Sequence, residues 1–416
     1  MSERRVVITG MGVVSPVGND LETFWSNLTK GRSGVGLITA FDTTDFACKI
    51  GGEVRNFEPI PFYKTPKEVR RSDRYTQFAM VASKLALADS GLDLEQTDKT
   101  RFGVIIGSGI GGLATLEEQH KNLLTKGPGK VSPFLIPMMI SNMGSGLVSM
   151  ELGLQGPNFA ITTACATASN SIGEAWRMIK MDDADLFLAG GSEAPIVPTG
   201  VAGFASMKAL STRNNAPEKA SRPFDRDRDG FVIAEGAGIM VVEELEHAKR
   251  RGARIYCELA GYACTADAYH MTSPLPDGAG AGRCMELALQ KAGVQPHEVD
   301  YINAHGTSTG LGDVCETIAI KRVFGEHARN GLLVSSTKSM TGHTLAAAGG
   351  VEMAVCALAI GSGLIPPTIN LDNPDPNCDL DYVAHNAREK KVRVAVNNSF
   401  GFGGHNACLV AKSFAG

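Results

Sequence analysis

Short runs of β-branched and apolar residues alternate along the chain with longer segments in which apolar residues recur at helical spacing. The runs predict strands at residues 6–8, 102–106, 158–162, 186–189 and 238–243. The longer segments predict helices at residues 21–30, 73–90, 113–126 and 169–181. Because strands and helices alternate, the pattern indicates an α/β fold with a mostly parallel sheet covered by helices on both faces.

The second half of the chain repeats this pattern. Residues 254–263 resemble the opening strand, residues 299–304 resemble residues 102–107, and residues 392–400 resemble residues 185–189. The run at 332–337, with the apolar helix at 345–360, takes the place of the strand, turn and helix around Cys165. We therefore predict two similar halves, residues 1–250 and residues 251–416, related by a pseudo-twofold axis. The turn that carries Lys338 and His343 would then face Cys165.

The composition is that of an ordinary globular protein, with 43% hydrophobic and 20% charged residues. The net charge of -4 and a pI near 6.2 argue against a nucleic-acid-binding protein, which would carry a dominant basic field. Nine cysteines are scattered singly, without the clustering of a zinc site or a disulfide framework, so we expect a reducing cytoplasm. These features favour an enzyme.

Two stretches lack charged residues, at 131–150 and 353–371, and both are interrupted by prolines and glycines. A helix that spans a bilayer needs about 20 consecutive apolar residues, and neither stretch provides them. We therefore predict buried core, an interface or pocket lining for both, and no membrane span. The apolar run at residues 6–14 predicts a first strand and not a signal peptide.

Cys165 lies between a β-rich run at residues 159–163 and a segment with helical apolar spacing from Ala168 to Ile179. It is therefore predicted at the start of a helix, where free backbone N–H groups and the helix dipole favour the thiolate. A single cysteine is more often a small buried apolar residue than a nucleophile. The case for catalysis rests on residues that lie far away in the sequence.

Three further motifs follow strand-like runs. They are Asn-Ala-His-Gly-Thr-Ser-Thr at 303–309, Ser-Thr-Lys-Ser-Met-Thr-Gly-His at 336–343, and Asn-Asn-Ser-Phe-Gly-Phe-Gly-Gly at 397–404. They supply His305, Lys338, His343 and a glycine-rich loop. Because each motif stands at the end of a predicted strand, we expect all of them to converge with Cys165 on one site.

These motifs, in this order, resemble those of the elongating β-ketoacyl-acyl carrier protein synthases, the type II enzymes of bacteria and plastids. The resemblance extends from residues 7–12 to residues 398–404, nearly the whole chain. It implies a thiolase-type fold of five alternating helix and sheet layers, assembled as a homodimer. It also implies decarboxylative condensation of an acyl chain with a malonyl group, both delivered by acyl carrier protein.

The resemblance assigns a role to each motif. A thiolate is a strong nucleophile and exchanges thioesters readily, so Cys165 would hold the acyl chain. His305 and His343 would donate from Nε2 to the enolate formed by decarboxylation, and Lys338 would keep a histidine neutral. The backbone N–H groups of Cys165 and Phe402 would form the oxyanion hole, and the Phe402 ring would act as a gate.

The resemblance also implies residues that bind the acyl chain, the carrier protein and an ion. The acyl pocket would be lined by Ile110, Leu135, Met139, Phe204 and Phe402, with Leu135 and Met139 supplied by the partner subunit. Thr272 and Thr307 would bind the phosphopantetheine arm. A basic rim that attracts the acidic carrier protein would comprise Lys64, Lys67, Arg70, Arg71, Arg74, Lys121, Lys126, Lys208 and Arg213. No cofactor is expected, but a structural sodium or potassium ion has a candidate site at Asn303, Glu316, Glu352, Asn397 and Asn398.

Several alternatives were weighed against this interpretation. A degradative thiolase uses a second cysteine in its last glycine-rich loop, and residues 400–405 contain none. Initiating synthases place asparagine where this chain has His343, and non-catalytic chain-length subunits lack the cysteine. A polyketide-type ketosynthase stays open, because its chemistry is identical. The expected location is the bacterial cytoplasm, or the plastid stroma after processing.

Overall fold

The computed structural model describes residues 4–414. Its strands are β1 (Val6–Val14), β2 (Gly36–Leu37), β3 (Ile50–Gly51), β4 (Phe102–Gly107), β5 (Asn158–Phe159), β6 (Leu186–Glu193), β7 (Gly236–Glu244), β8 (Cys257–Ala266), β9 (Tyr301–Asn303), β10 (Leu333–Ser335), β11 (Leu364–Ile365), β12 (Arg388–Glu389), β13 (Val394–Gly401) and β14 (His405–Lys412).

The α-helices are α1 (Leu21–Thr29), α2 (Pro66–Val69), α3 (Arg74–Ser90), α4 (Leu113–Lys126), α5 (Leu135–Met139), α6 (Met143–Leu152), α7 (Thr167–Lys180), α8 (Pro198–Ser206), α9 (Leu245–Arg250), α10 (Ala279–Ala292), α11 (Gly310–Phe324), α12 (His327–Asn330), α13 (Lys338–Thr341) and α14 (Ala348–Ser362). Short 3₁₀ turns occur between them. Two of these, Ala164–Ala166 and Leu345–Ala347, lie directly before α7 and α14.

Ten strands form one continuous sheet in the order β10-β9-β13-β14-β8-β1-β7-β6-β4-β5. Four of its neighbouring pairs are parallel, namely β10–β9, β9–β13, β4–β5 and β4–β6. The other five are antiparallel. The prediction of a mostly parallel sheet is therefore wrong. One reason is that only residues 402–404 separate β13 from β14, and so short a connection joins antiparallel strands.

The two halves of the sheet have the same topology. Numbered within its own half, each set of five strands runs in the order 3-2-4-5-1: β5-β4-β6-β7-β1 in the first half and β10-β9-β13-β14-β8 in the second. Antiparallel pairing of β1 with β8 joins the two sets. The predicted pseudo-repeat is therefore present in the fold, whereas the exact boundary at residue 250 stays a prediction.

The helices and the two halves of the sheet form five layers, which pack around three apolar clusters. Helix α3 packs on the outer face of the first-half strands, and α10 and α11 pack on the outer face of the second-half strands. Between the two sheet halves lie α7 and α14, which share one apolar cluster. Along β4, Val104 and Ile106 face α3 while Ile105 faces the central helices, as the two-residue period of a strand requires. This is the predicted arrangement of alternating helix and sheet layers.

The central helix α14 owes its composition to this burial. The window Leu345–Ser362 is long and apolar enough to cross a membrane, with a mean hydropathy of 1.7, but 78% of it is buried inside the protein. A helix that is apolar on every side is expected in such a position. The other charge-free stretch forms α5 and α6: Val148 packs in the core, whereas Ile136 and Met150 are exposed.

The predicted strand at residues 158–162 is shorter than expected. It ends at Phe159, whose carbonyl oxygen accepts a hydrogen bond from Ser145 Oγ at 2.8 Å. Residues 160–163 leave the sheet edge and lead into the turn that carries Cys165. The helix that follows begins at Thr167, close to the predicted start at residue 169.

Candidate active site

Cys165 lies in the 3₁₀ turn Ala164–Ala166 at the N-terminus of α7. Ala164 has a φ of 50°, in the left-handed region that residues other than glycine seldom enter, so the turn is strained. The backbone N–H of Thr163 donates to Thr167 Oγ1 at 2.8 Å and thereby ties the turn to the helix. The turn holds Cys165, 9% exposed, in the wall of a cavity.

Two histidines converge on this sulfur. His343 Nε2 lies 3.1 Å from Cys165 Sγ, and the ring centroids of His305 and His343 are 5.3 Å apart. The sulfur and one nitrogen from each ring all lie within 4.8 Å of one another. His305 follows β9, and His343 follows α13 after β10, so the site forms where strands of both halves end. The convergence expected from the motifs is present in the structure, while the catalytic roles stay predictions.

Both imidazoles are neutral at pH 7. Burial lowers the pKa of His305 and of His343 well below the usual histidine value, and the Lys338 ammonium lowers both further. A neutral ring carries one N–H donor and one acceptor nitrogen. Each ring is therefore able to donate one hydrogen bond without bringing a positive charge into the cavity.

The Cys165 thiol differs from the prediction made from its place at a helix start. Burial raises its pKa to about 11, although the Lys338 ammonium and the backbone N–H groups of Phe402 and Cys165 oppose that rise. The donors at the helix start favour the thiolate, but burial outweighs them, because the anion loses more free energy on leaving water than these donors restore. Deprotonation must accompany attack on the substrate.

Lys338 is a buried cation and not the surface lysine that a polar turn often carries. It is 1% exposed, and its ammonium forms an ion pair with the Glu352 carboxylate. Burial raises the pKa of Glu352 to about 7, and Lys338 opposes that rise. The pair comes from α13 and α14, so it lies within the second half and acts on both imidazoles through space.

The glycine-rich loop between β13 and β14 closes over the sulfur. Gly401 approaches the Cys165 turn so closely that a Cβ atom there would lie 2.8 Å from the Thr163 carbonyl oxygen. Glycine is therefore required at this position. The approach brings the Phe402 backbone N–H to the sulfur, beside that of Cys165. The Phe402 ring centroid lies 6.5 Å from that of Phe204.

A cavity of about 530 Å³ surrounds the sulfur and both imidazoles. Among the predicted acyl-pocket and arm-binding residues, those that line it are Ile110, Phe204, Phe402, Thr272 and Thr307. Leu135 and Met139 lie on α5 and are not among the residues that line it within this chain. Their assignment to the acyl pocket, through the partner subunit, stays a prediction.

The five residues predicted to hold a cation are buried and fall on two faces of the sheet. Asn303 and Asn397 are register partners on β9 and β13, and Asn397 donates to the Gly349 carbonyl of α14. On the opposite face, Asn398 donates to Glu316 Oε1 at 3.2 Å. Among the described residues, four of their oxygens have no hydrogen-bond partner: Oδ1 of Asn303, Asn397 and Asn398, and Oε2 of Glu352. Most buried side-chain oxygens in proteins have a partner, so these four mark the candidate cation site.

The nine predicted carrier-binding residues are not equivalent. Arg74 forms an ion pair with Glu235 at 2.7 Å and lies over the rings of Phe57 and Phe78, so it stabilises the fold. Arg213 is held by the Asp227 carbonyl oxygen at 2.8 Å. Lys208 is exposed and lines the cavity. The remaining six residues are also exposed: Lys64, Lys67, Arg70, Arg71, Lys121 and Lys126.

Sequence reasoning misses Glu193, which ends β6 and lines the same cavity. Its carboxylate, 1% exposed, accepts from Ser108 Oγ at 2.6 Å and from the N–H groups of Gly109 at 2.8 Å and Ile110 at 3.2 Å. Burial raises the pKa of this carboxyl to about 7. The sequence signal that could have revealed Glu193 is an acidic residue at the end of a strand that is otherwise apolar and rich in glycine.

Family models for two successive domains match this chain. The β-ketoacyl synthase N-terminal domain matches residues 3–248, and the C-terminal domain of the same enzymes matches residues 256–372. The chain belongs to the β-ketoacyl synthase family. The residues matched include the Cys165 turn in the first domain and both histidines in the second.

Curated ketosynthases are similar to the chain over its full length. A protein from Synechocystis sp. (strain ATCC 27184 / PCC 6803 / Kazusa) is 53% identical over 414 residues, covering 100% of this chain and 99% of the relative. One from Coxiella burnetii (strain RSA 493 / Nine Mile phase I) is 54% identical over 410 residues, covering 99% of each. Both are named 3-oxoacyl-[acyl-carrier-protein] synthase 2.

Known ketosynthase structures share the fold. A β-ketoacyl synthase from Burkholderia phymatum STM815 superposes with a TM-score of 0.92 at 36% identity, covering 99% of this chain and 100% of its own. A ketosynthase solved in complex with its type II PKS acyl-carrier protein gives a TM-score of 0.92 at 38% identity, covering 100% of both chains. These similarities confirm the thiolase-type ketosynthase fold.

Within this family, the site geometry separates the chain from its nearest alternatives. Where an initiating synthase would carry asparagine, this ketosynthase places a second imidazole 3.1 Å from the sulfur. The loop at 401–404 contains no cysteine that would serve as a thiolase acid or base. The cavity is lined by Cys165, which a non-catalytic chain-length subunit would lack.

Proposed function

We propose that this chain is a β-ketoacyl-[acyl-carrier-protein] synthase II that elongates fatty acids. It condenses an acyl chain held on Cys165 with malonyl-acyl carrier protein, releases CO2 and returns a β-ketoacyl-acyl carrier protein longer by two carbons. The observation that carries the proposal is the meeting of one sulfur and two neutral imidazoles, within 4.8 Å, in the wall of one cavity.

The first step transfers the acyl group. Cys165 Sγ attacks the thioester carbonyl of the acyl carrier protein, and the developing oxyanion accepts from the backbone N–H groups of Cys165 and Phe402. The bond from the carbonyl carbon to the carrier sulfur then breaks, and the carrier thiolate takes the proton that Cys165 gives up. His343 Nε2, 3.1 Å from the sulfur, is placed to hold that proton or to donate to the thiolate.

The second step decarboxylates the malonyl group. Its carboxylate leaves as CO2, and the electron pair of the broken bond forms an enolate whose charge lies mainly on the thioester oxygen. His305 and His343 are neutral, so each donates an N–H to that oxygen without being consumed as an acid. The enolate carbon then attacks the acyl thioester, and the same oxyanion hole holds the developing charge. The bond to Cys165 breaks, and the thiolate that leaves takes a proton from solvent.

Fatty-acid synthesis is favoured over the polyketide alternative. Curated relatives at 53% and 54% identity carry a fatty-acid-type synthase name, whereas the ketosynthase solved with a type II PKS carrier is 38% identical. A reduced acyl chain is long and apolar. The ring of Phe204 beside the sulfur and the side chain of Ile110 supply apolar lining for it.

The acyl carrier protein is the proposed partner, and a second copy of the chain completes the pocket. The exposed basic residues and Lys208 at the cavity would attract the acidic carrier. A homodimer is supported by exposed apolar side chains near α5, among them Leu124 at 73%, Ile136 at 56% and Met150 at 73%. We place the enzyme in the bacterial cytoplasm, or in the plastid stroma after processing.

No cofactor takes part in this mechanism. We propose one structural sodium or potassium ion near β9 and β13, supported by the unpartnered oxygens of Asn303, Asn397 and Glu352. Such an ion would satisfy these oxygens and fix the end of β9, which carries His305, against β13. Thermal unfolding in sodium, potassium and tetramethylammonium salts at equal ionic strength tests this: equal melting temperatures would contradict it.

The activity is tested with acyl carrier proteins loaded with chains of graded length and with malonyl-acyl carrier protein. We expect CO2 release and a single β-ketoacyl product longer by two carbons, read by mass spectrometry of the carrier. Acceptance of acetyl-CoA alone would indicate an initiating enzyme. Repeated extension without reduction would indicate a polyketide enzyme.

Carrier docking is tested separately with Lys208→Glu. We expect a higher KM for acyl carrier protein with little change for a short acyl-pantetheine thioester, because only the carrier reaches the rim. Lys249→Glu on α9 is the matched control. Glu193 pairs with the first residue of β7, whereas α9 follows the last residue of β7, so Lys249 lies at the far end of that strand. An equal rise in KM for both variants would contradict a role for this rim.

A further inference from the structure

The three groups at the centre of the site are also a set of zinc ligands. A thiolate sulfur and two neutral imidazole nitrogens are donors that Zn²⁺ prefers, and three protein ligands leave a fourth position open. Within residues 4–414, Cys165, His305 and His343 are the one group of three such side chains whose ligand atoms lie within 4.8 Å of one another. The mechanism uses these residues without any metal.

The geometry needs only a small rearrangement to bind a metal. With Zn–S near 2.3 Å and Zn–N near 2.0–2.1 Å, tetrahedral ligands lie about 3.4–3.6 Å apart. The pair Cys165 Sγ and His343 Nε2, at 3.1 Å, is slightly closer than this and would open by about 0.4 Å. The widest separation in the group is no more than 4.8 Å, so closing it requires about 1 Å of movement shared between two side chains.

Buried acidic groups beside the site would offset part of the charge of a bound cation, whereas the Lys338 ammonium opposes it. Glu193 and Glu316 are buried carboxyl groups that line the same cavity, and the Lys338 ammonium is paired with Glu352. A thiolate bound to Zn²⁺ would add one further negative charge. Part of the charge of the metal would therefore be balanced without a new ion pair.

The surroundings of the histidines set the strength of binding. In resident zinc sites, each ligating histidine donates its second nitrogen to a carboxylate or a carbonyl group, and loss of that partner costs about 10–100-fold in affinity. Here Nδ1 of His305 and Nδ1 of His343 have no partner among the described residues. The site thus has the ligands of a zinc centre without their supporting contacts, as expected for a metal that binds reversibly.

We propose that Cys165, His305 and His343 form a reversible, inhibitory binding site for Zn²⁺ and similar soft divalent metal ions. Zn²⁺ displaces the thiol proton to solvent, takes the sulfur and one nitrogen of each imidazole, and holds a water in the fourth position. Bound metal blocks acyl transfer, because the sulfur electron pair is committed to the metal. A chelator restores activity.

The test uses Co²⁺ as a spectroscopic substitute for Zn²⁺ on the full-length enzyme without an affinity tag. We expect one equivalent of Co²⁺ to give a near-ultraviolet thiolate-to-metal band and intense visible bands typical of tetrahedral cobalt, and Zn²⁺ to abolish both. Cys165→Ala should remove the near-ultraviolet band. His305→Ala and His343→Ala should each weaken binding by about tenfold or more.

Cys315→Ala is the matched control, because Cys315 is buried and lines the same cavity but is not part of the group. It should bind Co²⁺ like the wild type. The proposal is overturned if the wild type shows no thiolate band at saturating Co²⁺, or if Cys165→Ala retains the band. Circular dichroism of each variant excludes unfolding as the cause of a lost band. The cobalt spectrum does not depend on condensation activity. Failure of the metal-binding proposal can therefore be distinguished from failure of the proposed function.

Discussion

Removing one partner of the buried Lys338–Glu352 ion pair is predicted to destabilise the protein strongly. In Glu352→Gln, the Lys338 ammonium stays 1% exposed but loses its carboxylate. Breaking a buried pair from one side costs about 3–5 kcal/mol, because a charge is left uncompensated. With an unfolding entropy of about 2.1 cal/mol/K per residue, this corresponds to a fall in melting temperature of about 3–6 °C for 416 residues.

The opposite variant, Lys338→Met, is expected to behave differently. Burial already raises the pKa of Glu352 to about 7, and loss of the ammonium raises it further, so the carboxyl becomes neutral at pH 7. The stability cost is therefore smaller than in Glu352→Gln. The ammonium also lowers the pKa of both histidines, so these values rise in Lys338→Met. Loss of decarboxylation on acidification should begin at a higher pH than in the wild type.

The assays are thermal unfolding and the pH profile of malonyl decarboxylation, on both single variants and the double variant Lys338→Met/Glu352→Gln. The double variant should recover most of the stability lost in Glu352→Gln, because neither charge of this ion pair is left to be buried without its partner. Asp379→Asn is the matched control: it breaks the half-exposed Lys321–Asp379 pair, worth about 0–1 kcal/mol. Equal melting temperatures for Glu352→Gln and Asp379→Asn would refute the reasoning.

Three further predictions concern the reaction itself. Cys165→Ala should abolish condensation but retain malonyl decarboxylation, measured as CO2 release; condensation by this variant would rule out the assigned nucleophile. His305→Ala and His343→Ala should each lower the decarboxylation rate by about 100–1000-fold, as loss of one oxyanion donor does, and an unchanged rate would remove that histidine from the enolate site. Glu193→Gln should change the ratio of kcat/KM between short and long acyl chains, because the carboxylate holds the segment that carries Ile110; a constant ratio across chain lengths would contradict this positioning role.

The convergence of Cys165, His305 and His343 was predictable because each motif follows a strand. Strand ends can be recognised locally, from a β-branched run that meets a glycine or a polar turn. The similarity of the two halves then predicted which strand ends lie together. His305 after β9 and His343 after β10 and α13 required no information beyond this order.

The ionisation of Cys165 was not predictable in the same way. A local sequence pattern reveals the helix start, which favours the thiolate. It does not reveal the burial of the sulfur, which opposes the thiolate and raises the pKa of Cys165 to about 11. Burial depends on what packs from elsewhere, here the loop that carries Phe402. For the same reason the sequence missed Glu193, whose hydrogen bonds run to residues more than 80 positions away. The ion pair of Arg74 likewise depends on Glu235, which is distant in the chain.

The pseudo-repeat explains why the site needs both halves. The central helices α7 and α14 each follow a 3₁₀ turn whose first residue has a positive φ, 50° at Ala164 and 48° at Leu345. The residue after each is Cys165 in one half and Ala346 in the other. The repeat thus provides two equivalent strained turns in contact, but only one carries a thiol. Ala346 is fully buried, so the second turn only packs against the first. The second half instead contributes its strand ends, so the proposed nucleophile and the histidines proposed to stabilise the enolate come from different copies of the same topology.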